Sequence, residues 1–263
     1  MSKEIKEFVK ESYTKVLTSK SQSCCGPSCC TPSSLTTNNF SKDYTQLEGY
    51  VEGADYGLGC GIPTEHAKLE KGQTVLDLGS GAGNDVFVAQ QIVGKEGFVI
   101  GVDMTEAMIT KSNENKAKLG FENIDFRLGE IEDLPVENDS VDVVISNCVM
   151  NLVPSKLKAY QEVYRVLKTG GHFTISDIVV QGELPEHLRN TMALYAGCVG
   201  GAVEQAAYIQ AIKDAGFPNV DIVDQHEVRV ADELLLEHIS KEDLANLKAS
   251  GTKIISITVV GQK

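Results

Sequence analysis

Seven cysteines set the chemical possibilities of this 263-residue chain. Four stand together in Cys24-Cys25-Gly26-Pro27-Ser28-Cys29-Cys30. The other three are far apart: Cys60 in Gly57-Leu58-Gly59-Cys60-Gly61, Cys148 in Ser146-Asn147-Cys148-Val149-Met150-Asn151-Leu152, and Cys198 in Gly197-Cys198-Val199-Gly200-Gly201. A cysteine is often no more than a small buried apolar residue. Cys60 and Cys198, however, lie in glycine-dense loops, where a core hydrophobe gains little and functional groups concentrate. Residues 1–20 carry charges throughout and lack the apolar core of a signal peptide. The expected compartment is therefore a reducing cytoplasm. There thiols serve as core residues, as metal or metalloid ligands or as redox groups, and seldom as a disulfide framework.

A second constellation lies in Val75-Leu76-Asp77-Leu78-Gly79-Ser80-Gly81-Ala82-Gly83, an apolar strand running into a glycine-rich turn. Such a turn lets backbone approach a ligand closely. Alone it is weak testimony, because a tight turn needs no ligand and nicotinamide enzymes use G-x-G-x-x-G. Here the spacing is G-x-G-x-G, and Asp77 precedes the first glycine by two positions. A pyrophosphate prefers helix amides with no carboxylate close by. S-adenosylmethionine brings an ammonium, a sulfonium and no phosphate, so an acid there is useful. Asp103, followed by Met104, ends the second strand and is placed to accept hydrogen bonds from ribose hydroxyls. Gly129-Glu130-Ile131-Glu132 follows the third strand and is placed to flank adenine. With Ser80 inside the turn, the set Asp77, Gly79, Gly81, Gly83 and Asp103 resembles the cofactor site of class I methyltransferases.

In that fold the carboxyl end of the fourth strand lies beside the transferable methyl, and Cys148 stands just past it. Three thiols converging on a methyl donor suggest a soft acceptor. Trivalent arsenic binds three sulfurs as a pyramid and keeps a lone pair for the methyl carbon. No general base is then required, and rate comes from alignment and exclusion of water. Zinc is the competing soft ion, but C-x-x-C spacing is missing and zinc has no lone pair to methylate.

The segments around Cys60, Cys148 and Cys198, together with Asp77–Gly83, resemble the arsenite S-adenosylmethionine methyltransferases from about Tyr50 to Phe217. The resemblance implies that Cys60, Cys148 and Cys198 bind arsenic(III) and that Asn147 contacts the cofactor. It implies methylated arsenicals as products of arsenite or its thiol conjugates. It also implies a disulfide between site cysteines, reduced by thioredoxin or glutathione. Cys24, Cys25, Cys29 and Cys30 could capture arsenite and pass it inward, reduce the site disulfide, or bind soft ions adventitiously.

These groups need a scaffold. Strands are expected at Thr74–Leu78, Phe98–Val102, Ile124–Leu128, Val141–Ser146 and His172–Val180. Helices fall between them at Asp85–Val93, from a Thr105 cap to Leu119, and from Pro154 or Ser155 to a stop at Gly170-Gly171. This last helix puts Leu157, Tyr160, Val163, Tyr164 and Leu167 on one side. Further helices are expected near Pro185–Leu194, Val203–Ala215 and Asp232–Leu247, with strands at Val220–Val230 and Lys253–Val260. Alternation of this kind predicts an α/β, doubly wound, Rossmann-like sheet, mostly parallel with an antiparallel edge strand. Residues 1–40 would form an amphipathic helix and a flexible Cys-rich arm. Residues 41–263 would form the catalytic domain, with 181–215 partly a lid.

With 37 acidic against 24 basic residues the formal charge is −13, which disfavours nucleic acid and anionic lipid as partners. No apolar run approaches the roughly 20 residues of a bilayer span. Two other functions fit less of the sequence. A methyltransferase acting on a quinone precursor or thiol would not need three thiols, and a phenol acceptor would want a base. A non-catalytic metalloid-binding or redox-sensing protein would have no use for an intact cofactor loop.

Overall fold

The computed structural model describes residues 2–20, 42–182, 201–228, 232–236 and 239–263. The expected helix at Pro185–Leu194, Cys198, most of the suggested lid and the four-cysteine cluster lie outside them.

Helix α1 (Ser2–Lys20) and a short α2 (Pro63–His66) precede the sheet. Then come β1 (Thr74–Leu78), α3 (Asn84–Val93), β2 (Phe98–Asp103), α4 (Glu106–Leu119), β3 (Ile124–Leu128), β4 (Val141–Asn147), α5 (Lys156–Val166) and β5 (Leu167–Gln181). The chain closes with α6 (Gln205–Asp214), β6 (Val220–Val228), α7 (Asp232–Leu236), α8 (Lys241–Ala249) and β7 (Lys253–Gln262). The seven strands are ordered β3-β2-β1-β4-β5-β7-β6. β1 to β5 pair in parallel, and β7 runs antiparallel to both β5 and β6.

The central strands read as near-continuous apolar runs because helices cover both faces. Val75, Leu76, Leu78, Val143, Val144 and Ile145 are all buried. β3 and β6 are the two edges, and on β6 the residues Asp221, Val223 and Glu227 are exposed. Charges there discourage pairing with another chain's strand. Strand order reverses between β1 and β4, and in such sheets ligands bind outside the strands' carboxyl ends at that reversal. Leu78, Asp103 and Asn147 end their strands around that crevice.

Four local expectations are corrected. The Thr105 side chain makes no capping bond to α4; its own amide N–H donates instead to Asp103 Oδ1 at 2.8 Å. Gly170-Gly171 does not stop α5, because the chain turns extended at Leu167 and the glycine pair sits inside β5 beside a register shift against β4. A Cβ on Gly171 would come within 2.8 Å of the Asp142 carbonyl oxygen, so glycine serves strand packing there. Leu157 is exposed while Tyr160 and Val163 face the core, since only the latter meet the sheet. The late helix is broken into α7 and α8, and a Ser240–Asp243 capping box restarts it.

Candidate active site

A cleft of about 1170 Å³, counting the space at its mouth, opens over the carboxyl ends of β1, β2 and β4. The loop after β1 forms its floor. The amides of Gly79 and Ser80 donate to the Val102 carbonyl at 2.7 and 3.0 Å, which folds the turn across β2. Gly79, Gly81 and Gly83 all take left-handed backbone angles, at φ 68°, 51° and 100°. A Cβ on Gly79 would come within 2.5 Å of Val149. One on Gly81 would meet nothing within 4 Å, so its backbone faces open space. Gly83 stands apart: it does not line the cleft. It is the N-cap of α3, and a side chain there would strike Phe87 and Phe126.

Two buried acids, Asp77 and Asp85, and the partly buried Asp103 gather at this floor. Asp103 accepts the Gly81 N–H at 3.0 Å as well as that of Thr105, so it ties the loop to β2. Burial pushes its carboxyl up, and these hydrogen bonds oppose the rise. Asp77 is raised well above the usual carboxylate range by burial, then by the charges of Asp85 and Asp103. Asp85, at the start of α3, is raised to about 6 by burial despite hydrogen bonds from Tyr44 and Asn147. Ser80 Oγ and Asn84 Oδ1 line the same cleft, buried and without a hydrogen-bond partner among the described residues. A concave acidic site with orphaned acceptor and hydroxyl atoms fits a cationic ligand with its own donors, which S-adenosylmethionine is. It repels a pyrophosphate.

Toward the thiols, the loop that carries Cys60 is held by Asn147. Its Oδ1 accepts the Cys60 N–H at 2.9 Å and the Gly61 N–H at 3.3 Å. Its Nδ2 reaches the Tyr44 hydroxyl at 2.8 Å, the Gly61 carbonyl at 2.9 Å and Asp85 Oδ2 at 3.3 Å. Tyr44 donates in turn to Asp85 Oδ1 at 2.8 Å. Glycine is needed on either side of Cys60, because a Cβ on Gly59 or Gly61 would come within 2.5 Å of Asn147 or Ser176. The Cys60 carbonyl accepts from Ser256 Oγ of β7 at 2.8 Å. Cys148 itself takes a left-handed φ of 61°, uncommon for a residue with a side chain. Its amide donates to the Ser176 carbonyl at 2.7 Å.

Cys60 and Cys148 are therefore brought together, buried in one cluster with Leu152, Ile178, Val180 and Ala202. Cys148 lines the cleft; Cys60 sits behind it with no exposed surface. Cys198 lies outside the described residues, as do Cys24, Cys25, Cys29 and Cys30. Ala202, four positions after Cys198, packs in the same cluster. Among the described residues no three His, Cys, Asp or Glu side chains gather as a metal site.

The cleft also takes in Met104, Glu130, Ile131 and Asn147 from the sequence-predicted set, and residues that sequence reasoning missed. Asn84 and Asp85 follow the last glycine directly, yet an acid in a helix's first turn reads equally well as a dipole partner. Lys6, Val9 and Tyr13 come from α1. Lys6 Nζ lies 2.7 Å from both Glu130 and Glu132. Burial works against its charge, and the two carboxylates outweigh it, so the amine is pushed above its usual range. No local pattern announces a pairing across 124 residues.

A family model described as a methyltransferase domain matches residues 69–216. The chain is 41% identical to the arsenite methyltransferase of Halobacterium salinarum, over 95% of this chain and 66% of that protein. It is 35% identical to the arsenite methyltransferase of Aquipseudomonas alcaligenes, over 89% of this chain and 68% of that one. The crystal structure of an arsenic(III) S-adenosylmethionine methyltransferase from Chlamydomonas reinhardtii superposes with a TM-score of 0.67 at 36% identity. The match covers 78% of this chain and 67% of that one. The chain thus spans about two thirds of the length of each of these relatives.

Proposed function

The chain belongs to the arsenite methyltransferase family, and we propose that it methylates thiol-bound trivalent arsenic with S-adenosylmethionine as donor. The observation that carries this reading is the Asn147 clamp. It fixes the Cys60 loop against β4, so that Cys60 and Cys148 share one buried cluster at the thiol end of an acidic cleft.

Asp77, Ser80, Gly81 and Asp103 would hold the cofactor, with Met104, Glu130 and Ile131 toward its adenine end. When bound there, the cofactor supplies a methyl carbon made electrophilic by its sulfonium. Asp77, Asp85 and Asp103 would stabilise positive charge in this largely buried part of the cleft, where such charge is otherwise costly. Asn147 acts on the substrate side by fixing the Cys60 loop. Cys60 and Cys148 would take two coordination positions of arsenite, and Cys198 the third, each replacing a hydroxide as a sulfur ligand. The arsenic lone pair would then form the new bond to carbon as the methyl–sulfur bond of the sulfonium breaks, which releases S-adenosylhomocysteine and leaves arsenic formally pentavalent. Two of the thiolates can return electrons to arsenic by coupling as a disulfide. Two electrons and two protons from thioredoxin or glutathione would reset them. No helix among the described residues is long and apolar enough to cross a membrane.

Arsenical speciation tests the reading. Reduced protein with arsenite, thiol and S-adenosylmethionine should yield methylated arsenicals. Cys148→Ser should yield none while still binding S-adenosylhomocysteine. Undiminished methylation by that variant would remove the mechanism.

A further inference from the structure

We propose that helix α1 is a wall of the cofactor site, with Lys6, Val9 and Tyr13 as cofactor-positioning residues; the inference rests on the S-adenosylmethionine reading above. The methyltransferase-domain match begins at residue 69, so it assigns α1 no role.

Lys6, Val9 and Tyr13 stand at i, i+3 and i+7, which on a helix is one stripe. All three line the cleft. The stripe reaches both of its ends. Lys6 grips Glu130 and Glu132 beyond β3, and Glu132 also accepts the Ser155 N–H at 3.0 Å. Val9 is 1% exposed and packs in the cluster that holds Cys60 and Cys148. Tyr13 bridges that cluster to the one around β1 and α3.

The rest of α1 is mostly polar, and an isolated helix of this length is marginal in water. Its seat is therefore set by this stripe and by packing on α4. A ligand filling the cleft touches the same stripe, so it adds contact area to α1, and α1 adds contact area to it. Cofactor affinity and the seating of α1 are consequently linked. Lys6 serves by holding Glu130 and Glu132 in place against α1, and Val9 and Tyr13 by closing an apolar side of the cleft.

Calorimetric titration of the full chain with S-adenosylhomocysteine tests this. Lys6→Glu places an acid against two others and should weaken binding by about tenfold or more, whereas Lys6→Arg should restore most of it. Val9→Asp should weaken it comparably, and Glu11→Ala, on the exposed face of α1, should leave it unchanged. Hydrogen exchange on the unaltered chain supplies a readout independent of folding in the variants: amides of α1 should gain protection when the ligand binds. Affinity unchanged in Lys6→Glu, or no gain of protection in α1, overturns the inference while the cofactor reading stands. An unaltered chain that binds no S-adenosylhomocysteine takes down both.

Discussion

At the cofactor end of the cleft, Asp77 and the turn Gly79–Ala82 build the floor, and the turn is fixed by bonds to the backbone and the terminal acid of the neighbouring strand. At the thiol end the parts come from distant stretches of the chain. Cys60 is held by Asn147, which lies 87 positions away, and its carbonyl by Ser256, 196 positions away. The first end is specified by glycine stereochemistry and a strand-terminal acid. The second is specified by side chains whose partners the fold must deliver. The two ends should therefore fail differently when damaged.

The largest effect is expected from Gly79→Val. The residue has φ 68°, and its Cβ would come within 2.5 Å of Val149, so strain and clash act together. Cofactor affinity should fall by more than about 100-fold, counted as the strain of a β-branched residue at positive φ plus the clash. Arsenite binding by the reduced protein should survive. Loss of both would mean that the two ends are one structural unit. Asp103→Ala comes next. It removes the acceptor of two loop amides and of the expected ribose contact, at a cost of about 1–3 kcal/mol in cofactor binding by titration calorimetry. No change would strip Asp103 of that role.

Asn147→Ala probes the other end. It leaves the amides of Cys60 and Gly61 without their acceptor and releases the loop from β4. Removing a group that orients a ligand costs roughly 10–100-fold in affinity or activity. The lower figure is expected here, because Ser256 still anchors the Cys60 carbonyl. The fall should appear in turnover and in the arsenite KM, with S-adenosylhomocysteine affinity nearly kept. If cofactor affinity falls as far as turnover, Asn147 belongs to the cofactor end, as its resemblance to family members implies.

The same contrast explains what was legible beforehand. Asp77, the glycines and Asp103 could be read from spacing, because the chemistry is written in one turn and at one strand end. Cys60 and Cys148 could be singled out and were expected to converge, but the hydrogen bond between distant loops that holds the Cys60 loop in place could not be read. Of the clamp partners, Tyr44 read equally as a cover for the cofactor's methionine end and as packing, and Asp85 read as a helix start. Gly83 read as a cofactor residue by its place in the motif, whereas it caps α3 and makes room for Phe87 and Phe126. α1 was legible as a helix from the spacing of Ile5, Phe8, Val9, Val16 and Leu17. Its seat was not, because a lysine meeting two glutamates across the fold leaves no local trace. Gly170-Gly171 misled for a physical reason: a glycine pair after a helix suits a stop, and it equally suits a strand that passes close under a neighbour's carbonyl.

The smallest effect distinguishes acids that face the cleft from an acid that faces only protein. Asp177 is fully buried beside the thiol end, where it accepts from Asn151 Nδ2 at 2.9 Å and from the Tyr208 hydroxyl at 3.2 Å. Burial raises it to about 7, against which the Lys156 charge and the hydrogen bonds act. An unfolded aspartate titrates near 3.9. The folded state therefore holds this proton more tightly, and the associated stability is fully present below about pH 4. It is lost as pH rises through the folded value, until above about pH 7 both states are ionised and the loss is complete. Asp177→Asn keeps an acceptor for Asn151 and cannot titrate. Thermal melts should show the variant gaining on the parent between pH 5 and pH 8. Asp77 and Asp85 contribute the same slope to both proteins and cancel in the difference. Saturating S-adenosylhomocysteine should leave that difference unchanged, because Asp177 does not line the cleft. A ligand-dependent difference would place Asp177 in contact with the cofactor end and erase the division drawn between the two.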